Sequence, residues 1–170
     1  STTIADAYLK PLMGRYVESL IRTLSAANLG VPLTIMKSNG GAMLARAAAE
    51  HPIQTAQSGP SGGMLVAAAL GVQAGEPDLL TLDMGGTSAD VGIIQQGEQR
   101  HTTEYEIEWG IPAAIPLIDI KSIGAGGGSI AWIDGGGFLR VGPESSRAVP
   151  GPACYGLGGE RPTVTDANLL

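Results

Sequence analysis

Leu82-Asp83-Met84-Gly85-Gly86-Thr87-Ser88-Ala89-Asp90-Val91-Gly92 is the stretch on which the reading of this chain turns. The apolar run at 79–83 predicts a short strand, the glycine pair a sharp turn, and 91–94 the returning strand. Residues without side chains let backbone N–H groups approach an anion closely, and Thr87 adds a hydroxyl. Asp83 and Asp90 flank the turn. Two carboxylates beside such a nest are hard oxygen ligands suited to Mg²⁺ or its waters, and either one is able to position a water molecule. A plain β-hairpin is the competing reading, in which the glycines serve only to reach positive φ and the aspartates cap backbone groups.

Upstream, Gly59-Pro60-Ser61-Gly62-Gly63 leads into MLVAAALGVQAG, a helix of small residues predicted to stop at Gly75. Ser61, Gly62 and Gly63 then mark a helix N-terminus whose free N–H groups and dipole attract an anion. The same five residues fit the G-x-S-x-G nucleophile elbow, with an aspartate and His101 following in hydrolase order. Pro60 and its small, polar neighbours make a poor core strand, which argues against the elbow. Further back, 4–29 reads as one amphipathic helical region. Ile4, Tyr8, Leu12, Tyr16, Leu20 and Leu24 form one line, and Leu9, Met13, Val17 and Ile21 the adjacent one. Pro11 either opens a helix near Lys10 or interrupts a longer one, and Gly30 is the expected stop. Residues 31–36 read as a strand, 38–41 as a turn, and the alanines at 45 and 47–49 as a short helix ending before Pro52.

Downstream, 96–98 turns into a strand with Tyr105, Ile107 and Trp109 on one side and Glu104, Glu106 and Glu108 on the other, solvated side. Gly124-Ala125-Gly126-Gly127-Gly128-Ser129 approximates a dinucleotide fingerprint, but Ser129 replaces the third glycine and a strand follows instead of a helix. The entropy such a cluster loses on ordering favours a ligand-facing role for Gly124, Gly126, Gly127 and Gly128. A loop threading closely past a neighbouring backbone is the alternative. Gly135-Gly136-Gly137 reads as a hairpin turn. Cys154 reads as a buried structural thiol. At the end of the sequence Thr165 or Asp166 is placed to cap a helix with one turn of chain left, as expected of a piece excised from a longer polypeptide.

Composition bounds the rest. The 170 residues are 44% hydrophobic and 15% charged, with 26 glycines and 11 prolines. Aliphatic runs between the glycines argue for a packed core over low-complexity disorder. The net charge of −6 offers no general attraction to nucleic acid or an anionic membrane. One cysteine excludes an internal disulfide framework and suggests a reducing, cytoplasmic setting. His51 and His101 are far apart in sequence and form no zinc motif.

The pattern D-x-G-G-T-x-x-D between two apolar strands resembles the phosphate loop of the actin-like ATPases, and the helix before it resembles that superfamily's connecting helix. A tighter resemblance spans nearly the whole chain: SNGG at 38–41, SGPSGG at 58–63, DMGGTSADV at 83–91, IGAGGGSIAWID at 123–134, RVGPES at 140–145, PGPACYG at 150–156 and RPTVTDANLL at 161–170. In this order the blocks resemble the hydantoinase A / 5-oxoprolinase family, above all its ATP-dependent N-methylhydantoinase A branch. Acetone-carboxylase-type subunits carry similar blocks. The resemblance implies an α/β, ribonuclease H-like fold with a mixed sheet. Residues 1–56 would be the tail of a first lobe, 57–76 the linking helix and 77–170 the opening half of a second. It implies ATP and Mg²⁺ as cofactors, a cyclic amide of hydantoin or 5-oxoproline type as substrate, and a second subunit of hydantoinase B type. In that scheme Asp83 and Asp90 hold Mg²⁺ or orient a nucleophile, while Gly85, Gly86 and Thr87 hold phosphate oxygens. The family carries a second such loop in its first lobe. With one loop, this chain would hold half a nucleotide site and not turn over alone.

Overall fold

The computed structural model describes residues 2–108 and 110–170, apart from the side chain of Glu108. Trp109, expected beside Tyr105 and Ile107, lies outside the described residues. In chain order the elements are α1 (Thr2–Ala26), β1 (Thr34–Met36), β2 (Ala42–Leu44), α2 (Ala45–Glu50), α3 (Ser58–Ala74), β3 (Leu79–Met84) and β4 (Ala89–Gln95). There follow β5 (Glu98–Gln99), β6 (His101–Glu108), β7 (Ile111–Ile118), β8 (Ile120–Ile123), β9 (Ser129–Ile133), β10 (Leu139–Ser145) and α4 (Val164–Leu169), with 3-10 turns at Pro52–Thr55 and Ala153–Tyr155. The chain divides into two compact units, residues 1–79 with 93–119 and residues 80–92 with 120–170.

In the first unit α1 runs through Pro11 without a break. Its two apolar lines part only over the first half of the helix, since farther along Leu20 and Leu24 of the first line are partly buried and Ile21 of the second is exposed. Ala5 and Leu9 pack on a core of Ile53, Ile115 and Leu117, and Val17 is buried, whereas Ile4, Tyr8, Leu12 and Tyr16 are 56–83% exposed. The helix stops at Asn28 and not at Gly30. Asn28 takes φ +59°, its N–H donates to Ser25 O (3.0 Å), and the Leu29 N–H reaches back to Leu24 O (2.9 Å). That is a left-handed C-terminal cap, a conformation asparagine tolerates better than most residues.

Ser38 ties this unit together. Its N–H and hydroxyl both donate to Gln54 O (2.7 and 2.8 Å), and its carbonyl accepts from the Ile118 N–H (2.9 Å) and the Ser61 hydroxyl (2.8 Å). The Gly-Pro-Ser-Gly-Gly run lies within α3, which ends as expected at Gly75 with φ +80°. β4 and β5 join through Gln96 and Gly97, both at positive φ, the two-residue turn whose twist suits antiparallel strands. In the β6–β7 hairpin Ala113, Ile115 and Leu117 are buried, Tyr105 packs on the core, and Glu104 and Glu106 are exposed as expected, but Ile107, expected on the face of Tyr105, is exposed as well.

In the second unit β4 pairs with β8 over Ala89↔Ile123 to Gly92↔Ile120, and β9 pairs with β10. The glycines at 135–137 form the expected turn between β9 and β10. Asp134 organises it, accepting from the N–H groups of Gly136 and Phe138 and from Arg140 Nε (2.7 Å). The Phe138 N–H, followed by the Arg140 guanidinium, holds the Asp134 carboxyl below its usual range. The class is α/β. A mixed sheet was expected, but the β1–β2, β4–β5, β4–β8, β6–β7 and β9–β10 ladders are all antiparallel. Most of these strands are joined by turns of a few residues, and a parallel pair needs a crossover of a dozen or more. Among the described residues no helix is long and apolar enough to cross a membrane.

A candidate anion-binding turn

The Gly85 N–H donates to Ser88 O (2.9 Å), which closes the β3–β4 turn and leaves Gly86 and Thr87 at its tip. Asp83 near the end of β3 is exposed, as are Gly85, Gly86 and Thr87, and Asp90 in β4 is partly buried. Asp90 Oδ1 accepts from the hydroxyl of Ser122, its register partner on β8. Neither Gly85 nor Gly86 has positive φ. A Cβ at Gly85 would come no closer than 3.7 Å to Ser88 O, and one at Gly86 would meet nothing within 4 Å. The hairpin reading explained these glycines by backbone conformation, and that explanation fails. Nothing in the packing of the described residues requires them.

The second glycine cluster behaves oppositely. Added Cβ atoms would lie 2.7 Å from Gly85 O at Gly126, 2.7 Å from Thr165 Oγ1 at Gly127 and 2.8 Å from Gly86 O at Gly128. The Gly127 N–H donates to Gly85 O (2.9 Å), the Gly128 N–H to Gly86 O (2.6 Å), and the Gly126 N–H to Ser129 Oγ (2.9 Å). The expectation that Gly126, Gly127 and Gly128 face a ligand is therefore corrected. Their amides are spent within the protein, and the space of their missing side chains is filled by backbone and by Thr165. This is the threading alternative, and only Gly124 keeps open space around it.

The cluster fixes the turn's polarity. In a trans peptide the C=O and N–H point in opposite directions. The oxygens of Gly85 and Gly86 are held by Gly127 and Gly128, so the N–H groups sharing those two peptide planes, on Gly86 and Thr87, point away from the cluster. These two N–H groups and the Thr87 hydroxyl make no hydrogen bond among the described residues. Two neighbouring unbonded donors on an exposed turn suit an anion.

Ser61, Gly62 and Gly63 belong to the first unit, and the structure gives them different work. Ser61 is fully buried, its N–H donates to Gln57 O, and its hydroxyl lies 2.7 Å from Gln57 O and 2.8 Å from Ser38 O. The helix begins at Ser58, so Ser61 is not a free donor, and Gly62 and Gly63 lie past the terminus they were expected to form. The nucleophile elbow fails on the same facts, because a buried helical serine after a 3-10 turn is not the exposed tip of a strand. His51 and His101 are exposed, as expected of ordinary surface residues.

Two further expectations change near the end of the sequence. Thr163, and neither Thr165 nor Asp166, caps α4, with Asp166 completing a reciprocal capping box. Asp166 also accepts from the N–H groups of Ala153 and Cys154 (3.3 and 2.8 Å). The Cys154 N–H, then its thiol and the Thr163 hydroxyl, hold the Asp166 carboxyl well below the usual range. Cys154 is exposed and not buried, and its bond to Asp166 raises the thiol's pKa, which is the wrong direction for a reactive thiolate.

Among the described residues no group of three or more His, Cys, Asp and Glu is placed to hold a metal. Asp83 and Asp90 nevertheless suit Mg²⁺. The Asp83 carboxylate makes no hydrogen bond or ion pair among the described residues, and Asp90 has one oxygen beyond the Ser122 bond. Mg²⁺ is ordinarily held by one or two carboxylates, with waters and substrate phosphates completing its shell. In the first unit an open cleft of about 450 Å³ gathers Asp6, Lys37, Asn39 and His51, a grouping the sequence did not reveal.

These features define an α/β protein with an exposed glycine turn whose Gly86 and Thr87 N–H groups are unbonded among the described residues, with Asp83 and Asp90 on the strands to either side. The profile of the hydantoinase/oxoprolinase family matches residues 1–170, and the chain belongs to that family. It is 40% identical over 174 residues to the caprolactamase subunit alpha of Pseudomonas jessenii, covering 99% of this chain and 24% of that one. With the 5-oxoprolinase of Saccharomyces cerevisiae it shares 38% identity over 171 residues, 99% of this chain and 13% of the relative. The crystal structure of the P. jessenii ATP-dependent caprolactamase superposes with a TM-score of 0.75 over 99% of this chain and 24% of that chain, at 39% identity. Nucleotide-free acetone carboxylase gives 0.77 over 90% of this chain and 21% of that chain, at 27% identity. The chain thus spans about a quarter or less of each of these proteins.

Proposed function

We propose that this chain supplies one phosphate-binding turn of an ATP-dependent cyclic amidohydrolase with actin-like ATPase architecture. The observation that carries the reading is the pair Gly85-Gly86, side-chain-free on an exposed turn whose own fold does not ask for glycine. A group from outside the chain gives them a reason, and the free N–H groups of Gly86 and Thr87 suit phosphate oxygens. In this reading residues 1–56 end a first lobe, α3 lies in the linker at 57–76, and 77–170 opens a second lobe. The single cysteine agrees with a reducing, cytoplasmic setting.

Asp83 and Asp90 would hold Mg²⁺, which when bound offsets charge on the phosphates of ATP. The Gly86 and Thr87 amides and the Thr87 hydroxyl bind and orient those phosphates. The substrate is a cyclic amide of hydantoin or 5-oxoproline type. Transfer of the terminal phosphoryl group from ATP to the amide oxygen gives ADP and an activated carbonyl carbon. Water adds to that carbon and the ring C–N bond breaks with its nitrogen taking a proton, leaving an acyl phosphate, and a second water hydrolyses that to the carboxylate and inorganic phosphate. The second catalytic partner is a subunit of hydantoinase B type, in keeping with a relative named as a subunit alpha.

The likeness to acetone carboxylase supports a second reading, ATP-dependent carboxylation of a ketone with bicarbonate. Phosphate release by the full-length two-subunit enzyme separates the two. Stimulation by hydantoins, 5-oxoproline or another lactam, with ring-opened product in step with phosphate, is the expected result. Stimulation only by a ketone with bicarbonate decides for carboxylation, and ATP hydrolysis with neither overturns both.

A further inference from the structure

We propose that Thr165 is a positioning residue for the phosphate-binding turn, acting through two peptide groups. The inference rests on the assignment of residues 83–90 to ATP. The Thr165 N–H and hydroxyl both donate to the carbonyl oxygen of Gly127, each at 2.8 Å. That oxygen belongs to the peptide plane whose N–H is on Gly128, and the Gly128 N–H donates to Gly86 O at 2.6 Å. Gly86 O in turn shares its plane with the Thr87 N–H, one of the two free donors at the tip. A continuous file of hydrogen bonds therefore runs from Thr165 through the 127–128 and 86–87 peptides to the donor that faces the ligand.

Such a file does two things. It fixes the tilt of each peptide plane, because a carbonyl held from one side sets the direction of the N–H on the other. It also polarises each peptide in turn, since bonds in a chain strengthen one another. Thr165 starts the file with two donors on one oxygen. Its own place is set by the Thr163–Asp166 capping box and by the Asp166 bonds to the 153–154 backbone. At Gly127 a Cβ would lie 2.7 Å from the Thr165 hydroxyl, so glycine there is what lets the threonine approach. Sequence reading placed Thr165 as a helix cap and assigned it no part in the turn.

The test compares Thr165→Val, Thr165→Ser and Asp83→Asn in the full-length enzyme with its partner subunit, following KM for ATP, kcat and the thermal midpoint. Valine keeps the shape and removes the hydroxyl, so KM for ATP should rise about fivefold to tenfold, the size expected for one lost hydrogen bond. Serine restores the hydroxyl and should return KM to within about twofold of wild type. Thr165→Ala lacks the hydroxyl without the branched side chain and reads the same way if the valine protein does not fold. Unchanged KM for ATP in both hydroxyl-free variants, with Asp83→Asn inactive, overturns the positioning role and leaves the ATP assignment standing. An Asp83→Asn enzyme that hydrolyses ATP at the wild-type rate overturns the assignment and the positioning role with it.

Discussion

Asp83→Asn in the full-length subunit is expected to lower substrate-dependent ATP hydrolysis by at least about 100-fold while leaving the fold intact, the range seen when one charge-stabilising group is removed from an active site. The side chain is exposed and makes no hydrogen bond or ion pair among the described residues, so the isosteric amide costs the fold nothing it was using. The substitution removes the negative charge. A cation beside the phosphates needs that charge, and a water molecule needs the basic oxygen. Asp90 cannot simply replace it, because one of its oxygens already accepts from Ser122. Phosphate release and far-UV circular dichroism on the same preparation check the two halves of the prediction. Full activity removes Asp83 from the site.

Gly86→Ala separates ligand from fold more sharply. A Cβ at Gly86 meets no atom of the described residues within 4 Å and the residue is not at positive φ, so alanine should leave stability unchanged or raise it by up to about 1 kcal/mol, as glycine replacement does at compatible sites. The methyl group would stand where a phosphate oxygen approaches. The expected result is a roughly 10- to 100-fold loss of ATP affinity, the size of a small-to-large clash. Gly126→Ala should instead lower the thermal midpoint, because its Cβ would sit 2.7 Å from Gly85 O, and the shift that admits it displaces the turn and weakens ATP binding as well. Thermal melting and equilibrium ATP binding of the two variants give the comparison. Wild-type affinity in folded Gly86→Ala would mean that no ligand approaches the turn.

The strand–turn–strand around Gly85 and Gly86 was legible because apolar runs and a glycine pair act locally. So were the long helix before β1, the turn at 135–137 and part of the alternation in β6, where Glu104 and Glu106 are exposed and Tyr105 packs on the core, although Ile107 is exposed. The glycines at 126–128 were misread because sequence shows only that a side chain is missing. Whether the space is taken by a ligand or by the Gly85-Gly86 backbone depends on contacts between segments some forty residues apart. Ser61 illustrates the same limit. A serine among glycines reads as a helix entrance, yet Ser38, 23 residues earlier, buries its hydroxyl. The exposed line Ile4-Tyr8-Leu12-Tyr16 and the packed line through Leu9 and Val17 have similar periodicity, so the pattern predicts a helix without saying which line meets the core. Thr165 was invisible as a positioning group because its effect passes entirely through backbone.

Amide hydrogen exchange across residues 82–90 of the full-length protein, with and without ATP and Mg²⁺, reads the proposed phosphate contact at its own two donors. Without ligand the Gly86 and Thr87 amides have no acceptor among the described residues and should exchange freely. ATP should slow their exchange strongly, ADP should slow it less, and Gly86→Ala should abolish the effect. Saturating ATP that protects other segments and leaves these two amides exchanging as before would contradict that contact.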